Sequence, residues 1–209
     1  MEKRQASVLS PDNPVSPLGH AASTWDSTQS RVLDAADVLI QQRGIHGVTI
    51  AELARSSALS RPTIYRSWTD ADDVVRAALL RRVVLVLEAF PDPATTRDAL
   101  VDDVLRFSEL FRADPVYSRL LDQEPEAFTR YMLQRVGSSQ RLIHGWLTQA
   151  ITAAQREGSV RAGDPQQIAV MLLLIAQSAV LSHGTVAELI DEESWERELR
   201  VALEGYLRP

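Results

Sequence analysis

The chain has no cysteine, a single lysine and no uninterrupted apolar run of bilayer-spanning length. The first absence excludes a disulfide framework, thiolate metal sites and thiol catalysis. The most apolar run, Ile168 to Ala176, falls well short of the roughly 20 residues a spanning helix needs. No apolar block follows Lys3 and Arg4 before Pro11, so a secretory signal is not expected, and the protein reads as soluble and cytoplasmic. No segment alternates with the two-residue period of a strand, and no internal repeat is visible. The four histidines (20, 46, 144 and 183) lack any ligand spacing, so no metal site and no cofactor are expected. Asp191-Glu192-Glu193 reads as a solvated helix cap rather than a metal site.

What remains is a chain of 209 residues, 45% apolar, with a net charge of −6. That length and composition support one or two domains with a real core. The acidic balance argues against bulk attraction to nucleic acid, but the charge is uneven. Residues 27–70 carry five arginines against Asp34, Asp37, Glu52 and Asp70, a balance of +1. Residues 71–209 carry 15 arginines against 21 acids, a balance of −6. Any DNA contact must therefore rest on local placement of arginine. The arginine-for-lysine usage, with abundant alanine and valine, points to a GC-rich bacterial source.

The periodicity predicts an all-α protein in three parts. Residues 1–26, with Pro11, Pro14 and Pro17, are expected to be a disordered arm. Residues 27–72 form a compact head, and residues 73–209 a larger helical domain. Thr28 to Arg43 presents Val32, Leu33, Ala36, Leu39 and Ile40 on one face, with Ser27, Thr28 or Ser30 as cap and Gly44 as its stop. Thr49, with Glu52 three residues on, has the reciprocal capping-box pattern. Ser57-Ala58-Leu59 makes a turn, and Ser60 caps the next helix, with Arg61 and Pro62 in its first turn. Ile64 and Trp68 pack inward. Asp70 starts a long helix ending at Pro91, and Thr95 starts another ending at Asp114-Pro115. Pro125 opens a pattern running to Glu157 that Gly137-Ser138-Ser139 kinks or loosens. Asp164-Pro165 starts a helix through IAVMLLLIA, apolar all round and so expected to be buried on more than one side. The last helix runs from about Ser194 to Leu207.

A short helix, a tight turn and an outward-polar helix make a helix-turn-helix. Tyr65 can donate to a phosphate oxygen, and free N–H groups at the Thr49 and Asp70 helix starts can receive phosphates. The plain alternative is an ordinary helical corner. The segments VLDAA, Arg43-Gly44, TIAELA and LSRPTIYRSW decide between them, for over about residues 30–80 the chain resembles the TetR family of bacterial transcriptional regulators. The resemblance implies a homodimer binding double-stranded operator DNA through its first three helices. It also implies an effector pocket and a four-helix dimer interface, here about 164–183 and 194–207. Carried onto this chain, Arg61, Pro62 and Thr63 fall where the family contacts base edges and nearby phosphates. Tyr65 falls on a phosphate-binding tyrosine, Arg66 where histidine is frequent, and Thr49 on a cap that also touches phosphate. Ser60 completes the set as the recognition-helix cap. Three departures stand out. Pro62 lacks the N–H of the usual small residue, Trp68 replaces phenylalanine, and Ala71 stands where a phosphate-contacting lysine is common.

Phe107, Phe111, Tyr117, Phe128, Tyr131, Trp146 and Gln177 are the candidate lining of a pocket for a small, apolar effector. The alternative for each aromatic is ordinary core packing. The competing functional classes are an all-helical enzyme and a helical interaction protein with a vestigial helix-turn-helix. An enzyme would need a nucleophile–base constellation or a carboxylate–histidine set, and the sequence presents neither, so no catalytic residue is assigned.

Overall fold

The computed structural model of the protein describes residues 25–133 and 137–209. The arm predicted for 1–26, with Lys3 and Arg4, lies outside the described residues up to residue 24. The described residues hold ten α-helices and no strand. The head contains α1 (Ser27–Arg43), α2 (Ile50–Ser57) and α3 (Arg61–Tyr65), with a single 3-10 turn at Ile45–Gly47. The remainder is α4 (Ala71–Leu87), α5 (Arg97–Ala113), α6 (Pro115–Gln123), α7 (Pro125–Leu133), α8 (Ser138–Arg156), α9 (Pro165–Val186) and α10 (Glu192–Leu207).

Helix starts follow side-chain capping of orphan N–H groups. Two caps differ from expectation by a residue or more. α1 is capped by Asp26, whose carboxylate accepts from Gln29 N while Gln29 Oε1 accepts from Asp26 N. This closed capping box satisfies two donors, which none of the three expected hydroxyls does. α5 is capped by Thr96, which accepts from Ala99 N, rather than by Thr95. The long pattern from Pro125 is two helices, not one kinked helix. Gln140 Oε1 accepts from Gly137 N and so starts α8 afresh. Asp191 caps α10 by accepting from Ser194 N, moving its start to Glu192.

One continuous apolar core runs from the head into the larger domain. Its centre is a chain of rings: Phe90, Trp146, Phe107, Phe111, Tyr117, Phe128 and Tyr131 follow one another with centroids 3.8–6.4 Å apart. α1 packs on α2, α4 and α6, while α8 lies along α9. α9 departs from its expected burial. Only Ile168, Ala169, Leu172 and Val180 are buried within the chain, all by one side. Val170, Met171 and Leu174 face outward at 44–46% exposure. By length and composition α9 would suffice to cross a membrane, a property it shares with core helices of globular proteins.

A polar clamp fastens α9 and α10 to α5. Arg112 donates to Glu192 (2.5 Å) and lies 2.9 Å from His183 Nε2, which itself sits 2.7 Å from Glu192. The Arg112 guanidinium also stacks over Trp195 at 4.9 Å. Arg112 beside Glu192 holds that carboxyl below its ordinary value, with His183 adding to the effect. The stabilisation is therefore present above the ordinary glutamate value of 4.5 and lost as pH falls through the lowered one. Glu192→Gln is expected to lower the melting temperature by about 1–3 °C at pH 7, the scale of an exposed pair. Thermal melts should show that difference shrinking once pH falls below the ordinary glutamate value and gone where the carboxyl is protonated in the folded protein as well.

Candidate nucleic-acid interface and ligand pocket

The head is held from beneath by Leu53 and Ile64, both fully buried. The turn between α2 and α3 passes through Ala58 at φ 54°, a left-handed conformation rare for alanine. Two bonds pin it: Ser57 Oγ donates to Leu53 O, and Arg31 of α1 donates to Ser57 O, each at 2.6 Å. Ser60 Oγ then accepts from Thr63 N (3.2 Å) and lies 2.8 Å from Thr63 Oγ1. These contacts set the angle at which α3 leaves the head.

The outward face carries Ser60, Arg61, Pro62, Tyr65 and Arg66, all exposed, with Thr63 half-buried beside its cap. Tyr65 is 54% exposed, although tyrosine is usually well covered. Thr49 is exposed at the start of α2 and accepts from Glu52 N at 3.2 Å. The Glu52 carboxylate does not complete the expected box; it pairs with Arg55 and Arg43. Among the described residues, Arg61 and Arg66 pair with no acid, so two unopposed guanidiniums flank Tyr65. The α4 start is a poorer phosphate site than its sequence implied. Asp70 accepts from Asp73 N, Asp73 accepts from Thr69 N, and Asp72 adds a third negative charge.

Four of the seven candidate pocket residues meet. Phe107, Phe111, Trp146 and Gln177 border an apolar chamber between α5, α8 and α9, joined by Val104, Ser108, Met132, Leu173 and Leu181 among others. The other three lie elsewhere. Tyr117 and Phe128 are fully packed core, and the Tyr117 hydroxyl donates to Leu79 O at 2.7 Å. Tyr131 borders a shallow cleft with Ile45, His46, Asp72 and Arg76 on the head side of α7. The α6 and α7 aromatics turn toward α4 and the head because those helices pack there, a direction that spacing alone does not carry. The aliphatic lining was missed because Leu173, Ala176 and Val180 read as ordinary helix interior. The chamber is small, with a free volume of about 50 Å³, against roughly 300–1,000 Å³ for drug-sized sites.

Head and chamber are tied at two points. On α4, Arg81 donates to Asp34 and Asp37, both at 2.8 Å, while Arg82 Nε donates to Asp114, the α6 cap, at 2.7 Å. At the α6–α7 junction, Glu124 accepts from Ile45 N at 3.1 Å, and Arg119 donates to Gln41 O at 3.2 Å. His144 is structural, its Nε2 lying 3.0 Å from Gln166 O at the start of α9. No group of metal-binding side chains occurs among the described residues.

Residues 32–78 match the family model described as bacterial regulatory proteins, tetR family. A Mycobacterium bovis protein, the uncharacterized HTH-type transcriptional regulator Mb2274c, is 36% identical over 180 residues, covering 86% of this chain and 94% of its own. The chain belongs to the TetR family. Escherichia coli UidR, a more distant HTH-type regulator, is 21% identical over 184 residues, 86% of this chain and 93% of its own. Among solved structures, the R. erythropolis transcriptional repressor QsdR superposes with a TM-score of 0.64 at 15% identity, covering 86% of this chain and 94% of that one. Bacillus subtilis FadR, solved with stearoyl-CoA, gives 0.61 at 15% identity, covering 86% and 99%. At such identities the superpositions establish the fold alone. The TetR family is one of transcriptional regulators rather than an enzyme class, and the head is its DNA-binding helix-turn-helix.

Gly44 sits where the end of α1 meets the α6–α7 junction. Its φ is +75°, and a Cβ there would fall 1.3 Å from Glu124 Oε1. Gly44→Ala is expected to destabilise by about 1–2 kcal/mol through backbone strain and displacement of that carboxylate. In urea denaturation, Gly44→Ala with Glu124→Ala should cost less than the sum of the single changes, because the clash is removed and the strain is not.

Proposed function

We propose that the protein is a repressor that binds a pseudo-palindromic operator as a homodimer and is released by a small apolar effector. The observation that carries the reading is the exposed Arg61–Tyr65–Arg66 face, free of acidic partners on a helix anchored by buried Ile64. Arg66 and Arg61 contact base edges and nearby phosphates, Tyr65 donates to a phosphate oxygen, and Thr49 and Ser60 lie at helix starts beside the backbone. Pro62 supplies no N–H, so its contact is through van der Waals surface. Two copies related by a two-fold axis read two half-sites. The outward apolar residues of α9 (Val170, Met171, Leu174) and Val201 of α10 support self-association through these helices.

The small chamber supports the response. An effector must enlarge it, displacing α7 or α9 around Met132 and Gln177. Movement of α7 reaches the head through Glu124 and Ile45, and movement of α4 reaches it through Arg81 and Asp37. The effector shifts the equilibrium only by its differential affinity for the two arrangements. A cytoplasmic location accompanies this reading.

A gel shift against the DNA upstream of the protein's own gene tests the head. Arg66→Ala and Tyr65→Phe are each expected to weaken binding about tenfold or more, the scale of a charged or phosphate contact, while sedimentation still reports dimers. Undiminished binding in both variants would remove the assignment. Leu174→Glu, which puts a charge on the outward side of α9, is expected to yield monomers in sedimentation and to lose operator binding. A Leu174→Glu dimer would move the interface elsewhere.

A further inference from the structure

Resting on the reading of the α5–α8–α9 chamber as an effector site, we infer that its ligand is an uncharged apolar molecule carrying a hydrogen-bond acceptor, with Trp146 as the donor. The lining contains no charged side chain. A carboxylate or an amine entering it would lose its hydration and gain no counter-ion. Charged ligands are therefore disfavoured by the walls themselves. The polar groups at the walls then set what a neutral ligand must offer. The Ser108 hydroxyl is spent on Val104 O at 2.8 Å. The Gln177 Oε1 accepts from Gln140 Nε2 at 2.9 Å, and Gln140 also donates to Met132 O. Gln177 keeps its Nε2 amide as a donor at the half-buried edge of the chamber, whereas the Trp146 donor is fully enclosed. The Trp146 ring borders the chamber and is 4% exposed, yet its Nε1–H is buried with no acceptor among the described residues.

An indole N–H can only donate. Buried tryptophan normally finds an acceptor, and one left without it is a cost that a ligand can remove. The ring cannot easily turn to find another partner, since Phe90 and Phe107 hold it at centroid distances of 5.3 and 5.5 Å. A ketone, ester or lactone oxygen supplies the missing acceptor while the rest of the molecule meets aliphatic and aromatic walls. A hydrocarbon of the same shape fills the space and leaves the donor orphaned.

The test uses the full chain without DNA and three probes: acetophenone, its isostere α-methylstyrene, in which a methylene replaces the carbonyl oxygen, and benzoate. Nitrogen-15 spectra follow the Trp146 indole N–H, assigned by its absence in Trp146→Phe. Acetophenone is expected to bind about two- to tenfold more tightly than α-methylstyrene, the scale of one net hydrogen bond. It should also move the Trp146 indole proton downfield, which α-methylstyrene should not. In Trp146→Phe the two should bind alike, with α-methylstyrene affinity retained as the sign of an intact chamber. Benzoate should bind more weakly than either. Equal binding of the two neutral probes to the unaltered chain, an unmoved indole resonance with acetophenone, or preference for benzoate overturns the acceptor inference and leaves the chamber as a ligand site. Failure of all three probes to bind overturns the inference together with the chamber's role, while the operator gel shift, which needs no ligand, stands or falls separately.

Discussion

Two adjacent guanidiniums on α4 hold the molecule's two halves in one arrangement. Arg81 reaches back to Asp34 and Asp37 of the head, and Arg82 reaches forward to Asp114 at the start of α6. Asp37 is 7% exposed, and burial pushes its carboxyl up even though Arg81 and Arg82 oppose the shift. Its Oδ1 and the Arg81 Nε are buried without partners. A buried ion network satisfied only in part contributes little net stability. What it does determine is register, since α4 cannot slide along α1 without stranding charges. The position of the head is therefore tied to that of α4 in this arrangement.

The same helix meets the chamber's aromatic chain only two residues before Arg81. Leu79 O of α4 accepts from Tyr117, and Tyr117 stacks on Phe111, which borders the chamber. The chamber wall and α4 are thus joined through rings in van der Waals contact rather than through a flexible link. The Glu124–Ile45 bond gives a second and independent connection, from α7 to the 3-10 turn after α1. Close-packed interiors transmit such displacements because they cannot absorb them.

An acidic protein can present a DNA-binding face because electrostatics at a groove is local. Arg43 and Arg55 share the single carboxylate of Glu52, whereas Arg61 and Arg66 project without acidic neighbours. At physiological salt the acids of the larger domain are screened over about 8 Å. Net charge therefore sets solubility and encounter, while the few unopposed cations set the contact.

Much of this was legible in the sequence because its signals are local. Thr49, Ser60, Asp70 and Asp164 mark helix starts through hydrogen bonds spanning two or three residues, and Pro115 and Pro125 open helices at once. The all-α class and the helix-turn-helix follow from such short-range chemistry. The caps at Asp26 and Thr96 differ because neighbouring candidates compete and small differences in hydrogen bonding choose between them. Longer-range questions were decided only by the tertiary structure. Helical spacing assigns Tyr117, Phe128 and Tyr131 to buried or half-buried faces without saying which neighbour those faces meet; packing against α4 and the head took them out of the chamber. Likewise, the all-round apolarity of α9 implied two covered sides, but only the fold shows which side α8 covers and which is left outward. The sequence by itself determined where helices begin and which one is the outward-polar second helix of the helix-turn-helix, for those depend on residues within a turn of one another. The chamber, its orphaned Trp146 donor and the paired arginines of α4 depend on groups far apart in the chain, so only close packing could decide them.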